Sequence, residues 1–343
     1  MCIARLRSKH SNKQVFILIS ALFLATLLLL FLKPFKAYAL NGNDFSAGRI
    51  IDDQVFYDSG SVNTNQIQQF LDSKVPVCDT NGTQSYKGTT RAAYGVSKGY
   101  PAPYTCLKNY SESIQTRAGD SYCSGTVSGG TKSSAQIIYD VAQACGVNPK
   151  VLLVLLQKEQ SLVTDDWPWS IQYRSATGYG CPDTAPCDSE YYGFFNQVYQ
   201  AARAYKRYRA NPANYNYSAW RNNTILWNPN SSCGTSDVYI ENQATAGLYI
   251  YTPYRPNQAA LNNLYGTGDG CSSYGNRNFW RMYTEWFGST RTDLLLSLSD
   301  YEPVFNASYY FQTYPDIMAA YDNDSQKALW HYVNVGIYEG RQG

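Results

Sequence analysis

Histidine is almost absent from this chain. Only two occur among its 343 residues, His10 and His331. Residues 40–330 therefore lack the imidazole that Ser-His-Asp and Cys-His catalysis require. They also lack the ligand that holds most zinc ions in amidases and peptidases. We expect neither a metal nor a cofactor in this part of the chain, and Gly266-Thr267-Gly268 lacks the strand and helix of a dinucleotide-binding motif.

Basic charge outside the N-terminus is also scarce. Residues 1–39 hold six of the 28 Lys and Arg residues and no acid, so the remainder has 22 basic and 26 acidic residues, a net charge of −4. Nucleic-acid binding needs a clustered cationic face. The composition therefore argues against a nucleic-acid partner.

The N-terminus has the order of an export signal. Four basic residues come first and are followed by the apolar run Val15–Leu32 and by the small-residue pattern Ala37-Tyr38-Ala39. This order predicts a cleaved signal peptide over residues 1–39. The apolar run also approaches the length of a membrane span, so a retained anchor is the alternative. Either way we expect a bacterial protein that is secreted or on the cell surface, in contact with the membrane only through this segment.

Cysteine usage agrees with export. The chain has nine cysteines and no C-x-x-C pair, which argues against a zinc site. Without Cys2 eight remain, and an even number in an exported chain is typical of disulfides. Sequence alone does not fix the connectivity. We expect pairing between neighbours, namely Cys78–Cys106, Cys123–Cys145, Cys181–Cys187 and Cys233–Cys271.

The remaining chain divides into four parts by composition. Residues 40–130 are rich in loops, residues 131–290 are mainly helical, residues 291–303 form a linker, and residues 304–343 form a small helical module. The predicted fold class is mainly α, with an α+β central domain. Apolar periodicity and capping residues predict the following helices: one near 62–70, one from Ser133 or Ser134 to Cys145, one starting at Asn148-Pro149, and those at Tyr191–Arg209, Gln243–Tyr249 and Phe279–Phe287. A Tyr, Asn and Pro loop is expected after Arg209.

The helix VLLVLLQKEQSLV is apolar nearly all round and carries one acid, Glu159. Val151, Leu155 and Glu159 share a face because they are spaced by four residues. Apolar burial disfavours a charged carboxyl, and a carboxyl that stays protonated near neutral pH can protonate a glycosidic oxygen. The alternative is a structural Glu paired with Lys158, Arg174 or Arg203.

No second carboxylate stands out. The acids that follow the helix are more typical of turns and caps; they are Asp165, Asp166, Asp183, Asp188 and Glu190. Asp322 and Asp324 resemble a calcium loop only faintly, since the central Gly and the final Glu are missing.

Aromatic residues are abundant, with 32 Tyr and seven Trp. Aromatic faces stack on sugar rings, and Tyr hydroxyls bond to sugar hydroxyls. Trp167, Trp169 and the segment Tyr249–Tyr254 are the densest clusters. Ordinary core packing explains most of the aromatic residues, but less easily the many Tyr in polar loops.

Val151–Val163 resembles the first catalytic motif of the lysozyme and lytic transglycosylase superfamily. The resemblance implies that Glu159 is the general acid and that Ser161 follows it in the cleft. Ala176–Gly180 falls where that family has its Gly-rich cleft floor, which implies glycan contacts from Thr177, Gly178 and Tyr179. Ala246–Tyr251 is similar to a later motif with a helper Tyr, either Tyr249 or Tyr251. The sequence departs from the family at Gln160, where a Ser is usual, and around Gly180-Cys181.

A second resemblance covers about Ile50 to Gly288. It is to exported actinobacterial and candidate-phylum proteins labelled hemagglutinin-related or lysozyme-like, through strings such as NPKVLLVLLQKEQSLVT and GNRNFWRMYTEWFG. The tail resembles a short repeat of bacterial surface proteins.

These resemblances imply an enzyme that cleaves the N-acetylmuramic acid to N-acetylglucosamine bond of peptidoglycan. Glu159 would be the acid, Tyr249 or Tyr251 its helper, and Ser161, Trp167, Trp169, Thr177, Gly178, Tyr179 and Tyr254 the glycan contacts. The expected partner is peptidoglycan or another cell-surface glycan. The alternatives are a glycan-binding surface protein or adhesin without turnover, and a structural wall component held by its tail.

Overall fold

The computed structural model describes residues 40–182, 185–292, 298–321, 323–337 and 339–343. Within it, residues 41–343 form one compact unit. The predicted signal segment lies outside the described residues. Among the described helices, none combines the length and apolarity needed to span a membrane.

The fold is mainly helical with small antiparallel hairpins, which confirms the predicted fold class. The described α-helices are α1 Asp53–Phe56, α2 Thr64–Lys74, α3 Arg91–Ser97, α4 Ser134–Cys145, α5 Pro149–Gln160, α6 Ser170–Arg174, α7 Phe194–Ala210, α8 Gln243–Tyr251, α9 Gln258–Asn262, α10 Gly275–Phe287, α11 Leu298–Tyr301, α12 Ala307–Thr313, α13 Pro315–Tyr321 and α14 Ser325–His331. The strands are β1 Ser85–Tyr86, β2 Thr89–Thr90, β3 Ser111–Ile114, β4 Gly130–Ser133, β5 Arg221–Leu226 and β6 Thr235–Ile240. The pairs are β1–β2, β3–β4 and β5–β6.

Local capping explains the two central helices. The Ser133 side chain accepts a first-turn N–H of α4, and Gly146 ends that helix in the left-handed conformation at φ 60°. Asn148 caps α5, and Pro149 stands at its first position. These boundaries confirm the predictions, because each depends on residues adjacent in sequence.

The core is built around α5. Its residues Val151–Leu156 are all buried, and it packs against α4 and α10. Helix α4 also contacts α2 and α7, and α8 packs on α7. This all-round burial is what the apolar sequence of α5 predicts.

The hairpin β5–β6 follows the expected loop after α7 and was not predicted from the sequence. Arg221 lies opposite Ile240, and Leu226 lies opposite Thr235. The buried residues of the hairpin are Asn223, Ile225, Val238 and Ile240. The inward Asn223 breaks the apolar alternation that would have revealed a strand, and its side chain bonds to both the N–H and the C=O of Ser218.

The loop-rich N-terminal region packs on the helical core. The Ile50 N–H donates to Thr245 Oγ1 at 3.0 Å, and the Ser134 hydroxyl donates to the Leu107 carbonyl at 2.5 Å. Strand β4 crosses the predicted boundary at residue 130 and pairs with β3. The division at that residue stays a prediction.

The four disulfides join the predicted neighbours. They are Cys78–Cys106, Cys123–Cys145, Cys181–Cys187 and Cys233–Cys271. Each closes a loop in the chain, so it limits the conformations open to the unfolded state.

The tail has a hydrophobic cluster of its own, made by Phe305, Tyr310, Phe311, Ile317, Ala328 and Leu329. The Tyr310 hydroxyl lies 2.9 Å from His331 Nδ1 in a buried hydrogen bond. Arg341 pairs with Asp316 at 2.9 Å. Asp322 of the faint calcium motif lies outside the described residues.

Candidate functional site

Glu159 lies in the last turn of α5. Its side chain is 27% exposed, and its Oε1 lies 2.7 Å from Lys158 Nζ. The predicted apolar surroundings of this carboxyl are therefore wrong. The physical reason is that α5 ends at Gln160, one residue after Glu159. Ser161 adopts the left-handed conformation at φ 58°, so no further helical turn follows to cover the carboxyl.

Lys158 is the less exposed partner of this pair, with a side chain 6% exposed. Its ammonium also donates to Thr252 Oγ1 at 2.8 Å and lies 5.8 Å from the centre of the Tyr251 ring. An ammonium with two polar partners and an aromatic face is held in place. The ion pair with Glu159 is thus part of the built structure.

Ala176–Gly180, the floor segment, lies beside the carboxylate. Gly178 has φ 70°, and a Cβ at that position would lie 3.4 Å from Glu159 Oε2. Gly180 has φ 72°, and a Cβ there would meet the Tyr191 ring at 2.5 Å. The left-handed backbone favours glycine at both positions, and at Gly180 the Tyr191 ring leaves no room for a Cβ.

Gln197 anchors the floor segment from below, a role that was not predicted from the sequence. It is fully buried. Its Oε1 accepts from the N–H groups of Thr177 and Tyr179, both at 3.2 Å, and its Nε2 donates to the carbonyls of Tyr179 and Tyr191 at 2.9 and 2.7 Å. The sequence did contain a clue to this role, since Gln197 lies within the apolar stripe of α7 and a buried polar side chain needs hydrogen-bond partners.

Tyr251 is the tyrosine that α8 places beside Glu159. Its hydroxyl donates to the Thr177 carbonyl at 2.8 Å, and its ring stacks on Tyr205 at 5.1 Å. Burial first, and the charge of Glu159 second, raise the pKa of Tyr251 well above its usual value. Tyr249 instead donates to the Ala47 carbonyl at 3.0 Å. Of the two tyrosines left open by the sequence, Tyr251 is the one tied to the floor segment.

Four of the other predicted glycan contacts occupy different environments. Thr177 is fully buried, and its hydroxyl donates to the Gln197 carbonyl at 3.0 Å, so it supports the floor and cannot touch a ligand in this structure. Ser161 is exposed, whereas Tyr179 and Tyr254 are partly buried. The carbonyl of Tyr254 accepts from Asn276 Nδ2 at 2.9 Å.

Trp167 and Trp169 belong to an aromatic cluster that includes Tyr86, Tyr94, Tyr100 and Tyr104. Trp169 stacks on Tyr100 at 4.8 Å, and the Arg91 guanidinium lies 5.1 Å from the Trp167 ring centre. Both tryptophans remain partly exposed. Packing among the rings explains the cluster, and a glycan platform there stays a prediction.

Comparison with known proteins identifies the family. The profile of the LasA N-terminal domain matches residues 49–299, which is most of the chain. The chain belongs to this family. No curated protein and no solved structure matches the chain.

The LasA N-terminal domain match includes Glu159, the floor segment and all four disulfides, and it stops before the tail. Disulfides are typical of proteins that work outside the cytoplasm. The four disulfides and the family are consistent with an extracellular location.

Within the family domain, the carboxylates near α5 are already engaged. Asp165 accepts from the Trp167 N–H and from Gln172 Nε2, and Asp166 pairs with Arg91 at 2.8 Å. Asp188 caps the turn at Glu190. Asp183 lies outside the described residues. No group of three His, Cys, Asp or Glu side chains in the described part of the chain is arranged to hold a metal.

A cavity of about 320 Å³ lies at the C-terminal end of α8. It is lined by Asn214, Tyr215, Asn216, Tyr217, Ile250 and Pro253. Amide and phenol groups of this kind suit sugar hydroxyls. Tyr-rich loops were noted from the sequence in general, but this cavity was not predicted.

Proposed function

We propose that this chain is an exported enzyme that cleaves the β-1,4 bond between N-acetylmuramic acid and N-acetylglucosamine in peptidoglycan. Glu159 acts first as acid and then as base. The observation that carries the proposal is the position of its carboxylate, at the end of a buried helix and against Gly178 of the floor segment. Tyr251, bonded to the same segment, keeps that segment in register with the carboxylate.

The reaction that best fits a single carboxyl at the floor segment is a transglycosylase-type cleavage. Glu159 protonates the glycosidic oxygen as the bond to the anomeric carbon breaks. The 6-hydroxyl of the muramic acid then attacks that carbon and gives its proton back to Glu159, so a single carboxyl serves both steps. The engagement of Asp165 and Asp166 in other bonds supports this route over one with two carboxylates.

Lys158 sets a condition on this mechanism. Its ammonium lies 2.7 Å from Glu159 Oε1, on the carboxyl that a glycosidic oxygen would have to approach. The glycan must therefore displace Lys158 from Glu159 before the carboxyl can reach that oxygen. Thr252, which already accepts a hydrogen bond from Lys158 at 2.8 Å, offers the ammonium a place to remain.

The same ion pair favours a second function, glycan binding without turnover. If Lys158 stays on Glu159, the site presents a neutral pair of polar groups beside Tyr and Gly backbone. Such a site can hydrogen-bond sugar hydroxyls but lacks an acid. The protein would then be a surface lectin or adhesin.

The test is digestion of purified peptidoglycan by the protein without residues 1–39, with products identified by mass spectrometry. We expect anhydro-sugar ends from the wild type, none from Glu159→Gln, and wild-type levels from Glu285→Gln, a control carboxylate that pairs with Arg281 on α10. Reducing ends would indicate hydrolysis by the same acid. Wild-type release by Glu159→Gln would remove Glu159 from the mechanism, and no release by any variant together with retained wall binding would establish the binding function.

A further inference from the structure

A second cavity of about 320 Å³ lies beside the C-terminal part of α7, away from the residues assigned above. It is lined by Ser121, Tyr122, Lys206, Arg209 and Ala210. Two of these five residues are cations, and no acid lines the cavity.

The two cations have no acidic partner within ion-pair distance in the described part of the chain. The contrast is with Arg203, one turn earlier on α7, which pairs with Asp120. Asp53 acts on Arg209 only at longer range, and its Oδ1 accepts the Ala244 N–H at 2.7 Å. Burial and the charge of Arg209 lower the pKa of Lys206, which is the expected effect of two like charges held close together.

The ring of Tyr57 lies against this pair. Arg209 is 4.4 Å and Lys206 Nζ is 5.4 Å from the centre of the Tyr57 ring. The Tyr57 hydroxyl is buried and has no hydrogen-bond partner among the described residues. Tyr122 accepts from Asn211 Nδ2 at 3.2 Å, so its own proton is free to donate. Buried polar groups without partners are rare in folded proteins.

We propose that the cavity lined by Ser121, Tyr122, Lys206 and Arg209, the anion pocket, binds a phosphate or carboxylate group of a cell-wall polymer. An anion would neutralise the mutual repulsion of the two cations. Arg209 offers a planar pair of donors, Lys206 a point charge, and Ser121 and Tyr122 hydroxyl donors. The choice of a cell-wall polymer rests on the proposed function, whereas the anion binding itself uses no part of the chemistry at Glu159 and can be tested without it.

The direct test uses the protein without residues 1–39. It is titrated with inorganic pyrophosphate and, separately, with citrate, and binding is measured by calorimetry at low salt. The variant is Lys206→Gln/Arg209→Gln. The matched control is Lys108→Gln/Arg221→Gln, which removes the same charge from two side chains that each bond to a backbone carbonyl. The loss of one hydrogen bond to a charged group weakens binding by roughly 10- to 100-fold. We expect at least this loss in the pocket variant and wild-type affinity in the control.

Wall-binding assays distinguish the two sources of anion. Loss of pocket-dependent binding after phosphate polymers are stripped with hydrofluoric acid indicates a phosphodiester polymer. Loss after carbodiimide amidation of carboxyl groups indicates the peptide carboxylates of peptidoglycan. The proposal is overturned if neither anion binds the wild type, or if the pocket variant and the control bind equally while both keep the wild-type unfolding temperature. A pocket variant that fails to fold would be replaced by Lys206→Met and Arg209→Gln as single changes, read against the same control.

Discussion

Gln197 offers the sharpest test of how the site is held together. Replacing it with leucine keeps the volume nearly constant and removes every side-chain hydrogen bond to the floor segment. The substitution leaves four main-chain groups without their partner: the N–H groups of Thr177 and Tyr179 and the carbonyls of Tyr179 and Tyr191. The Thr177 hydroxyl keeps its bond to the main-chain carbonyl of residue 197.

The expected cost follows from these four groups. A buried main-chain group without a hydrogen-bond partner lowers the free energy of unfolding by on the order of 1 kcal/mol or more. We use the low end of this range because a surface segment can relax towards water. The leucine side chain returns about 1 kcal/mol through apolar burial. We therefore expect Gln197→Leu to lower the free energy of unfolding by about 3 kcal/mol.

The assay is guanidinium unfolding combined with amide hydrogen exchange at Thr177 and Tyr179. Gln200→Leu is the control, since it places the same substitution on the same helix at a partly exposed position. We expect faster exchange at both amides in Gln197→Leu only. If the two variants unfold at the same denaturant concentration and exchange alike, the floor segment is not held by Gln197 and the reasoning fails.

Three further predictions concern a pair of tyrosines, a histidine and a disulfide. Tyr251→Phe and Tyr249→Phe each remove a hydroxyl that donates to a backbone carbonyl, so each should lower the free energy of unfolding by about 1 kcal/mol. Only Tyr251→Phe should reduce the release of wall fragments, and equal activities of the two variants would show that Tyr251 has no part in the site. Burial and the charge of Arg341 lower the pKa of His331 from 6.5. The neutral ring therefore stabilises the folded tail above pH 6.5, and that contribution is lost as the pH falls below it. NMR resonances of the tail should report this loss, and a tail equally stable on both sides of pH 6.5 would contradict it. Replacing Cys78 and Cys106 with serine removes a cross-link between positions 28 residues apart and should lower the free energy of unfolding by roughly 3.5 kcal/mol. An unchanged guanidinium midpoint would contradict this and show that the unfolded state is already compact without the disulfide.

Sequence reasoning succeeded where the determining contacts are local. The caps at Ser133 and Asn148 and the stop at Gly146 are each decided within one helical turn, and the structure has them as predicted. The disulfide pairs were also predicted, because in this chain each cysteine bonds to its neighbour in sequence. The hairpin β5–β6 was missed, because the inward Asn223 hides the alternation.

The sequence by itself determined the main helices and the absence of histidine from residues 40–330. Only the tertiary structure decided what surrounds Glu159. Lys158 reaches Thr252 across 94 residues and Tyr251 reaches Thr177 across 74, and the floor segment depends on Gln197 from another helix. Side-chain periodicity reports which face of a helix is buried, but not which polar group from a distant element will meet it there. The surroundings of one carboxylate therefore depend on long-range packing, whereas the helix that carries it follows from its own residues.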